Sequence, residues 1–376
     1  MIGREMKRFR LMIRLAVAGL VLAGGWVVWC SGRFASTTYH IFYLAPDSSG
    51  IDQIFKAQFE AETKKVRTEM VTQSTANVIY FALSTDGQVA YTVQENETDT
   101  AIWLAEPDGR SPRQLLPCPQ AVCDQLVWHP DGRRLVYEQR DLSAMGSPHL
   151  WWLDTKTGQT VTVLADASEV TSGAQFSADG TWISYVAHET EGVEVYNFED
   201  GRRLNFASTT GRPAVWHPLN HSLLISDYDL VVFHGSDDED HQSHSHNDVQ
   251  AVHLFLTELD NPQQTEIGGD LPSDDASPAW SPDGERLLIG RKVPRTSMGR
   301  QLWLMQADGG QAQALTDAPE IHHGLPSWSS DSHYILFQRF PVLESEATAG
   351  IWLLDVRSGE QMEIAAVGHL PAWARE

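Results

Sequence analysis

Apolar and polar positions repeat along this chain in one short phrase. Two apolar runs joined through a polar turn occur as ALSTDGQVAY from Ala82, VWHPDGRRLVY from Val127, QFSADGTWISY from Gln175, VWHPLNHSLLI from Val215, AWSPDGERLLI from Ala279 and SWSSDSHYILF from Ser327, with a truncated PAWARE from Pro371. Ser281 to Gly284 has Ser first, Pro282 with its fixed φ second, Asp third and Gly last. That order suits a type I turn, so the phrase predicts a β-hairpin. A third apolar run follows most copies, as AIWLAEPDG from Ala101, LWWLDTKTG from Leu150, QLWLMQADGG from Gln301 and GIWLLDVRSG from Gly350. Weaker runs such as QLLP and ALTD supply a fourth strand.

A four-stranded unit repeated at this spacing predicts an all-β chain folded as a β-propeller over residues 38–376. Nine of the 13 Trp fall at equivalent repeat positions: Trp103, Trp128, Trp151, Trp216, Trp280, Trp303, Trp328, Trp352 and Trp373. They are expected to pack between successive sheets, with sugar stacking as the alternative use. LPAWARE is a first strand without partners, whereas residues 38–72 read as three strands without a first. Joined, they make one blade that closes the ring and removes two edges. The count is then seven, or six if residues 38–72 form no blade.

These repeats resemble those of the TolB-like propellers, a WD-type group whose blades carry the same Trp-Ser-Pro-Asp-Gly phrase and whose C-terminal strand completes the first blade. The resemblance covers residues 38–376. It implies the fold more than a function, because such propellers serve as periplasmic interaction scaffolds, as lids on serine peptidases and as a few lyases. TolB has a small domain before its propeller, and here a hydrophobic segment takes that place.

Arg4, Lys7, Arg8, Arg10 and Arg14 precede an uncharged run from Leu15 to Cys30. The positive-inside rule keeps residues 1–10 in the cytoplasm and sends the rest across. Residues 11–30 are expected to be a transmembrane signal anchor, with Arg14 snorkelling, and 31–37 a linker. A cleaved signal peptide and a lipid on Cys30 are the alternatives, although VVWC departs from a lipobox. The chain carries a formal charge of −23. Outside residues 1–33, which hold six Lys or Arg and one Glu, 21 basic residues face 49 acidic ones, or −28. Such a surface repels phosphate backbones, which argues against nucleic acid and for basic proteins, cations or cationic envelope polymers. In an exported domain Cys118 and Cys123, in CPQAVC, are expected to form a disulfide.

Successive copies lie 40 to 48 residues apart, except for 64 between Trp216 and Trp280. The excess is a loop with His234, Asp237, Asp238, Glu239, Asp240, His241, His244, His246 and Asp248. Imidazoles and carboxylates at this density suit a divalent metal such as zinc, with His241, His244 and His246 as ligands. A solvated polar loop is the alternative, since the spacing matches no closed zinc motif. In an antiparallel meander the second-to-third-strand loops share a rim with the connections between blades. This acidic loop therefore lies on the same rim as Arg291, Lys292, Arg295 and Arg300 of the next blade, as His322 and His323, and as Asp274 and Asp275. The rim is the expected functional face, unless the basic and acidic loops only neutralise each other.

Catalytic motifs are thin: no G-x-S-x-G, no P-loop and no H-E-x-x-H occur. Asp86, Asp131, Asp179 and Asp283 are turn residues first. The expectation is a membrane-anchored, extracytoplasmic propeller that binds an envelope protein or cell-surface component through this rim. A metal-dependent lyase or hydrolase is the alternative, and it requires His241, His244, His246, His322 and His323 to converge. A third reading is the sensory half of an envelope regulator.

Overall fold

Seven four-stranded antiparallel sheets account for the strands of the computed structural model, which describes residues 37–142, 146–164, 169–231, 249–268, 273–293, 296–344 and 348–374. Blade 1 combines β1 (Thr38–Pro46), β2 (Asp52–Glu60) and β3 (Lys65–Met70) with the last strand, β28 (His369–Trp373). Blade 2 is β4 (Val78–Leu83), β5 (Val89–Gln94), β6 (Thr100–Ala105) and β7 (Arg113–Cys118). Blade 3 is β8 (Ala121–Trp128), β9 (Arg134–Asp141), β10 (Pro148–Asp154) and β11 (Thr160–Thr162). Blade 4 is β12 (Thr171–Phe176), β13 (Trp182–Ala187), β14 (Gly192–Asn197) and β15 (Arg203–Ala207). Blade 5 is β16 (Val215–Trp216), β17 (Ser222–Val231), β18 (Val249–Glu258) and β19 (Asn261–Ile267). Blade 6 is β20 (Asp274–Trp280), β21 (Arg286–Lys292), β22 (Gln301–Gln306) and β23 (Gln313–Ala314). Blade 7 is β24 (Ile321–Trp328), β25 (Tyr334–Pro341), β26 (Gly350–Asp355) and β27 (Gln361–Ala365).

The C-terminal strand closes blade 1, with Ile41 opposite Trp373 and Phe42 opposite Ala372. Seven blades, not six, is therefore the count. First strands of successive blades neighbour one another, as β4 does β8 and β24 does β28, so they form the inner ring. Core side chains lie between sheets: Leu288, Leu302, Trp328, Ile335 and Phe337 join blades 6 and 7. Residues Tyr39–Phe59 and Val66–Glu376 make one compact unit. Glu60–Lys65 groups with Thr37 and Thr38, where the Ala61 amide donates to the Thr37 carbonyl at 3.0 Å.

The repeated turn does two jobs. Within blade 6 the Gly284 amide donates to the Ser281 carbonyl at 2.8 Å, and Gly284 sits at φ +70°. The Ser281 hydroxyl accepts from the Arg286 amide at 3.0 Å, which ties the hairpin together. Where His replaces this Ser, the side chain reaches the next blade instead. The His217 Nδ1 accepts from the Leu219 amide at 3.2 Å, leaving Nε2–H to donate to the Gly284 carbonyl at 3.2 Å. His129 makes the equivalent contact to the Gly180 carbonyl at 3.1 Å.

The repeat tryptophans explain the spacing of the phrase. Indole N–H groups of Trp128, Trp216, Trp328 and Trp373 donate to the carbonyls of Ala82, Gln175, Ala279 and Ser327, at 3.1 to 3.3 Å. Each acceptor belongs to the first strand of the preceding blade, so each indole both fills the interface and pins two sheets. A bond of this kind contributes about 1 kcal/mol net. The last one, from Trp373 to Ser327, helps hold the closing strand.

Candidate binding rim

All seven sheets are antiparallel meanders, so the second-to-third-strand loops and the inter-blade connections emerge at one rim. At blades 5 to 7 this rim gathers charged groups at the starts of β20 and β24 and the end of β21. Asp275 lies opposite Arg291 and Asp274 opposite Lys292 in the ladder. The Arg291 Nε donates to Asp275 Oδ1 at 2.8 Å, and its Nη2 donates to Oδ2 at 2.7 Å and to the Gly268 carbonyl at 3.0 Å. Its guanidinium carbon stands 5.3 Å from the centre of the Trp303 ring. Both charges are buried, with side chains 0% and 3% exposed.

Arg300 makes the neighbouring pair. Its Nη2 donates to Asp274 Oδ2 at 2.7 Å, and Nη1 donates to the Asp274 carbonyl. Two histidines then fold over Arg300. The Arg300 carbonyl accepts from the His323 amide at 2.9 Å and faces the His323 Nδ1 at 3.2 Å, and the Arg300 amide reaches the His322 Nδ1 at 3.5 Å. His322 stacks on Phe340, with ring centres 4.8 Å apart. Burial, then the cations of Arg300 and Lys292, holds the His322 pKa below its ordinary value. Burial is the main force that lowers His323 to about 4. The Arg291 Nη1 and the His323 Nε2 have no hydrogen-bond partner among the described residues.

The structure thus brings together Arg291, Lys292, Arg300, His322 and His323 with Asp274 and Asp275. Arg291 and Arg300 are neutralised by these aspartates of their own blade. Arg295 and the loop residues His234, Asp237, Asp238, His241, His244 and His246 lie outside the described residues, as do residues 1–36. The strands carrying that loop run to this rim, and the Val252 amide of β18 approaches Asp274 Oδ1 at 3.4 Å. On the same rim Cys118 and Cys123 are bonded, with Cα atoms 6.3 Å apart. Among the described residues no three His, Cys, Asp or Glu side chains group as a metal site, and no helix is long and apolar enough to cross a membrane.

Sequence reasoning missed the apolar side of the rim. Met298, Val342, Leu343 and Val367 are exposed there, in the loops of blades 6 and 7, and Leu325 is exposed partway along the inner strand β24. On the opposite rim Leu219 and, where β11 begins, Val161 are exposed among the described residues. Loop composition does not announce this, because apart from the adjacent Val342 and Leu343 the residues are scattered along the sequence.

No protein-family model matches the chain. Over 80 residues it is 36% identical to "Uncharacterized peptidase YuxL" of Bacillus subtilis (strain 168), covering 19% of this chain and 11% of that protein, so it spans about a tenth of that relative. Among solved structures it is similar to TolB from Acinetobacter baumannii, at 12% identity, over 89% of this chain and 82% of that one, with a TM-score of 0.51. It is also similar to oligogalacturonate lyase from Vibrio parahaemolyticus, at 11% identity and TM-score 0.57, over 87% and 86% of the two chains. The β-propeller domain of the trilobed protease from Pyrococcus furiosus matches at 11% identity and TM-score 0.55, over 87% and 92%. At such identities the likeness is one of fold. The fold is a seven-bladed propeller similar to those of TolB, an oligogalacturonate lyase and a protease domain.

Proposed function

We propose that this propeller is an extracytoplasmic interaction scaffold, held in the membrane by residues 11–30, which binds a protein of the envelope or cell surface through the rim of blades 5 to 7. The observation that carries the reading is the set of exposed apolar side chains Met298, Val342, Leu343 and Val367 in the rim loops of blades 6 and 7, which also carry the charged groups of blade 6. Exposed apolar side chains gathered on one face, with polar groups around them, are the usual mark of a protein contact. The histidines favour binding over metal chemistry. His322 stands beside the cations of Arg300 and Lys292, which repel a second positive charge, and His323 is 1% exposed with Nδ1 turned to a backbone carbonyl. A zinc site would rest on His241, His244 and His246 alone.

The test is site-specific photocrosslinking of the full chain in its native host. A photoreactive residue at Met298 is expected to capture a discrete envelope protein, and one at Leu219 on the opposite rim is not. Equal capture from both positions, or capture from Leu219 only, overturns the reading. The anchor is checked separately. The whole chain is expected to sediment with membranes after a carbonate wash, and a chain beginning at residue 34 to remain in the supernatant.

A further inference from the structure

In blades 6 and 7 the arginine four residues past the hairpin pair lies on the third-strand tryptophan, and in blade 2 the equivalent tryptophan lacks that arginine; Arg134 on Trp152 and Arg202 on Trp182 make such contacts from other positions. In blade 6 the Arg291 guanidinium lies 5.3 Å from the centre of Trp303, and in blade 7 Arg339 lies 4.5 Å from that of Trp352. The strand registers make these positions equivalent. Leu287 and Ile335 face the hairpin tryptophans Trp280 and Trp328; the arginines follow four residues later, and the residues two along face Trp303 and Trp352. In blade 2 the same count starts at Val89, opposite Leu83. It puts Tyr91 opposite Trp103 and leaves Val93 in the place of the arginine.

Valine is too short to cover the indole. A cavity of about 640 Å³ lies there, between blades 1 and 2, lined by Tyr91, Val93, Glu95, Trp103, Asp108 and the connection from Val71 to Ala76. Its size is within the range of about 300–1,000 Å³ common for ligand sites. One wall is aromatic, with Tyr91 and Trp103 stacked at 6.5 Å and 21°. The buried Trp103 indole N–H has no acceptor among the described residues. At the mouth, Asp108 is engaged by Arg110 at 2.5 Å, whereas Glu95 is exposed and has no ion pair among the described residues.

We propose that this cleft receives an arginine side chain of a partner protein, whose guanidinium takes the place over Trp103 that Arg291 and Arg339 fill in blades 6 and 7. A planar cation over an indole face is a favourable contact that strengthens as water is excluded. Glu95 supplies the counter-charge. Lysine fits less well, because its ammonium is compact and strongly hydrated. The site lies a blade and more from the apolar sector of the rim, and it does not depend on that sector binding anything.

The experiment is calorimetry on the full chain in detergent, with N-acetyl-arginine amide as probe and the citrulline analogue as its neutral isostere. The arginine amide is expected to bind and the citrulline analogue to bind at least about tenfold more weakly. Val93→Arg, which refills the cleft from within, is expected to abolish binding, at some cost in melting temperature because Val78 stands where Asp275 pairs Arg291 in blade 6. Glu95→Gln, an exposed change that leaves the core alone, is expected to weaken binding by about threefold or more. Absence of arginine binding, equal binding of citrulline, or wild-type affinity in Glu95→Gln overturns the proposal. If Val93→Arg fails to fold, the citrulline and Glu95→Gln arms still decide it. A peptide with an internal arginine is expected to bind more tightly than the amide. Free arginine binding best would identify a small-molecule site and overturn the partner assignment.

Discussion

Replacing Asp275 by Ala leaves the Arg291 guanidinium in the protein interior without its counter-charge. The side chain is 0% exposed and would retain only the Gly268 carbonyl at 3.0 Å and the face of Trp303. Two charge-assisted bonds, at 2.8 and 2.7 Å, are lost together. Breaking a buried pair this way costs about 3–5 kcal/mol, whereas replacing both members by apolar residues of similar volume is often neutral. Asp275→Ala is therefore expected to lower stability by about 4 kcal/mol, and the double variant Asp275→Leu, Arg291→Met to recover most of that loss. Urea denaturation of wild type, of the singles Asp275→Leu and Arg291→Met and of the double variant, read as midpoints at unchanged slope, measures the coupling. Screening is weak for a pair shut off from solvent, so the loss should be the same at low salt and in 1 M salt. A single-variant cost under about 1 kcal/mol would match a solvent-exposed pair, and would refute the reasoning. So would a double variant as unstable as the sum of the singles.

Gly284→Ala meets two penalties, since its φ is +70° and the new Cβ would stand 2.5 Å from His217 Cε1. Gly201 shares the backbone at φ +73° but has open space, so Gly201→Ala is expected to cost about 1 kcal/mol and Gly284→Ala at least about twice that. Equal melting shifts would mean that the His217 contact between blades 5 and 6 is loose. For His323, the folded value of about 4 lies below the ordinary 6.5, so between these values the unfolded chain holds the extra proton. Stability should be constant in this respect above pH 6.5 and fall by about 3 kcal/mol as pH drops to 4, a slope that His323→Gln removes in urea titrations at several pH values. The bond between Cys118 and Cys123 closes a short loop, so Cys123→Ser is expected to lower stability by about 2 kcal/mol, and a reductant to bring wild type down to the same value.

The hairpin phrase was legible because its turn chemistry is local. Ser281, Asp283 and Gly284 complete one another's hydrogen bonds within a few residues. Ring closure was legible too, since a first strand without partners and three strands without a first are complementary omissions. The pairing of Arg291 and Arg300 was not. Both were read as a basic loop facing an acidic one, yet they turn to Asp275 and Asp274 across the ladder of their own blade. Choosing between those partners needs the register, and a β-bulge between Ala276 and Ala279 shifts it. Ser277 carries that bulge at φ +50°, without a Gly to mark it.

What the chain determines by itself is whatever recurs: strand alternation, turn residues and tryptophan spacing are short-range demands, repeated often enough to specify a propeller of seven or six blades, of which the ring closure seen in the structure selects seven. What only the tertiary structure decided are the departures from that repeat. Val93 reads as an ordinary strand residue until the ring sets Trp103 beside it and two other blades show an arginine in its place. Likewise, Met298 and Val367 are 69 residues apart in sequence and share a rim. Burial and exposure depend on which strands become neighbours, and in a closed ring those neighbours are set by the whole circuit of the chain.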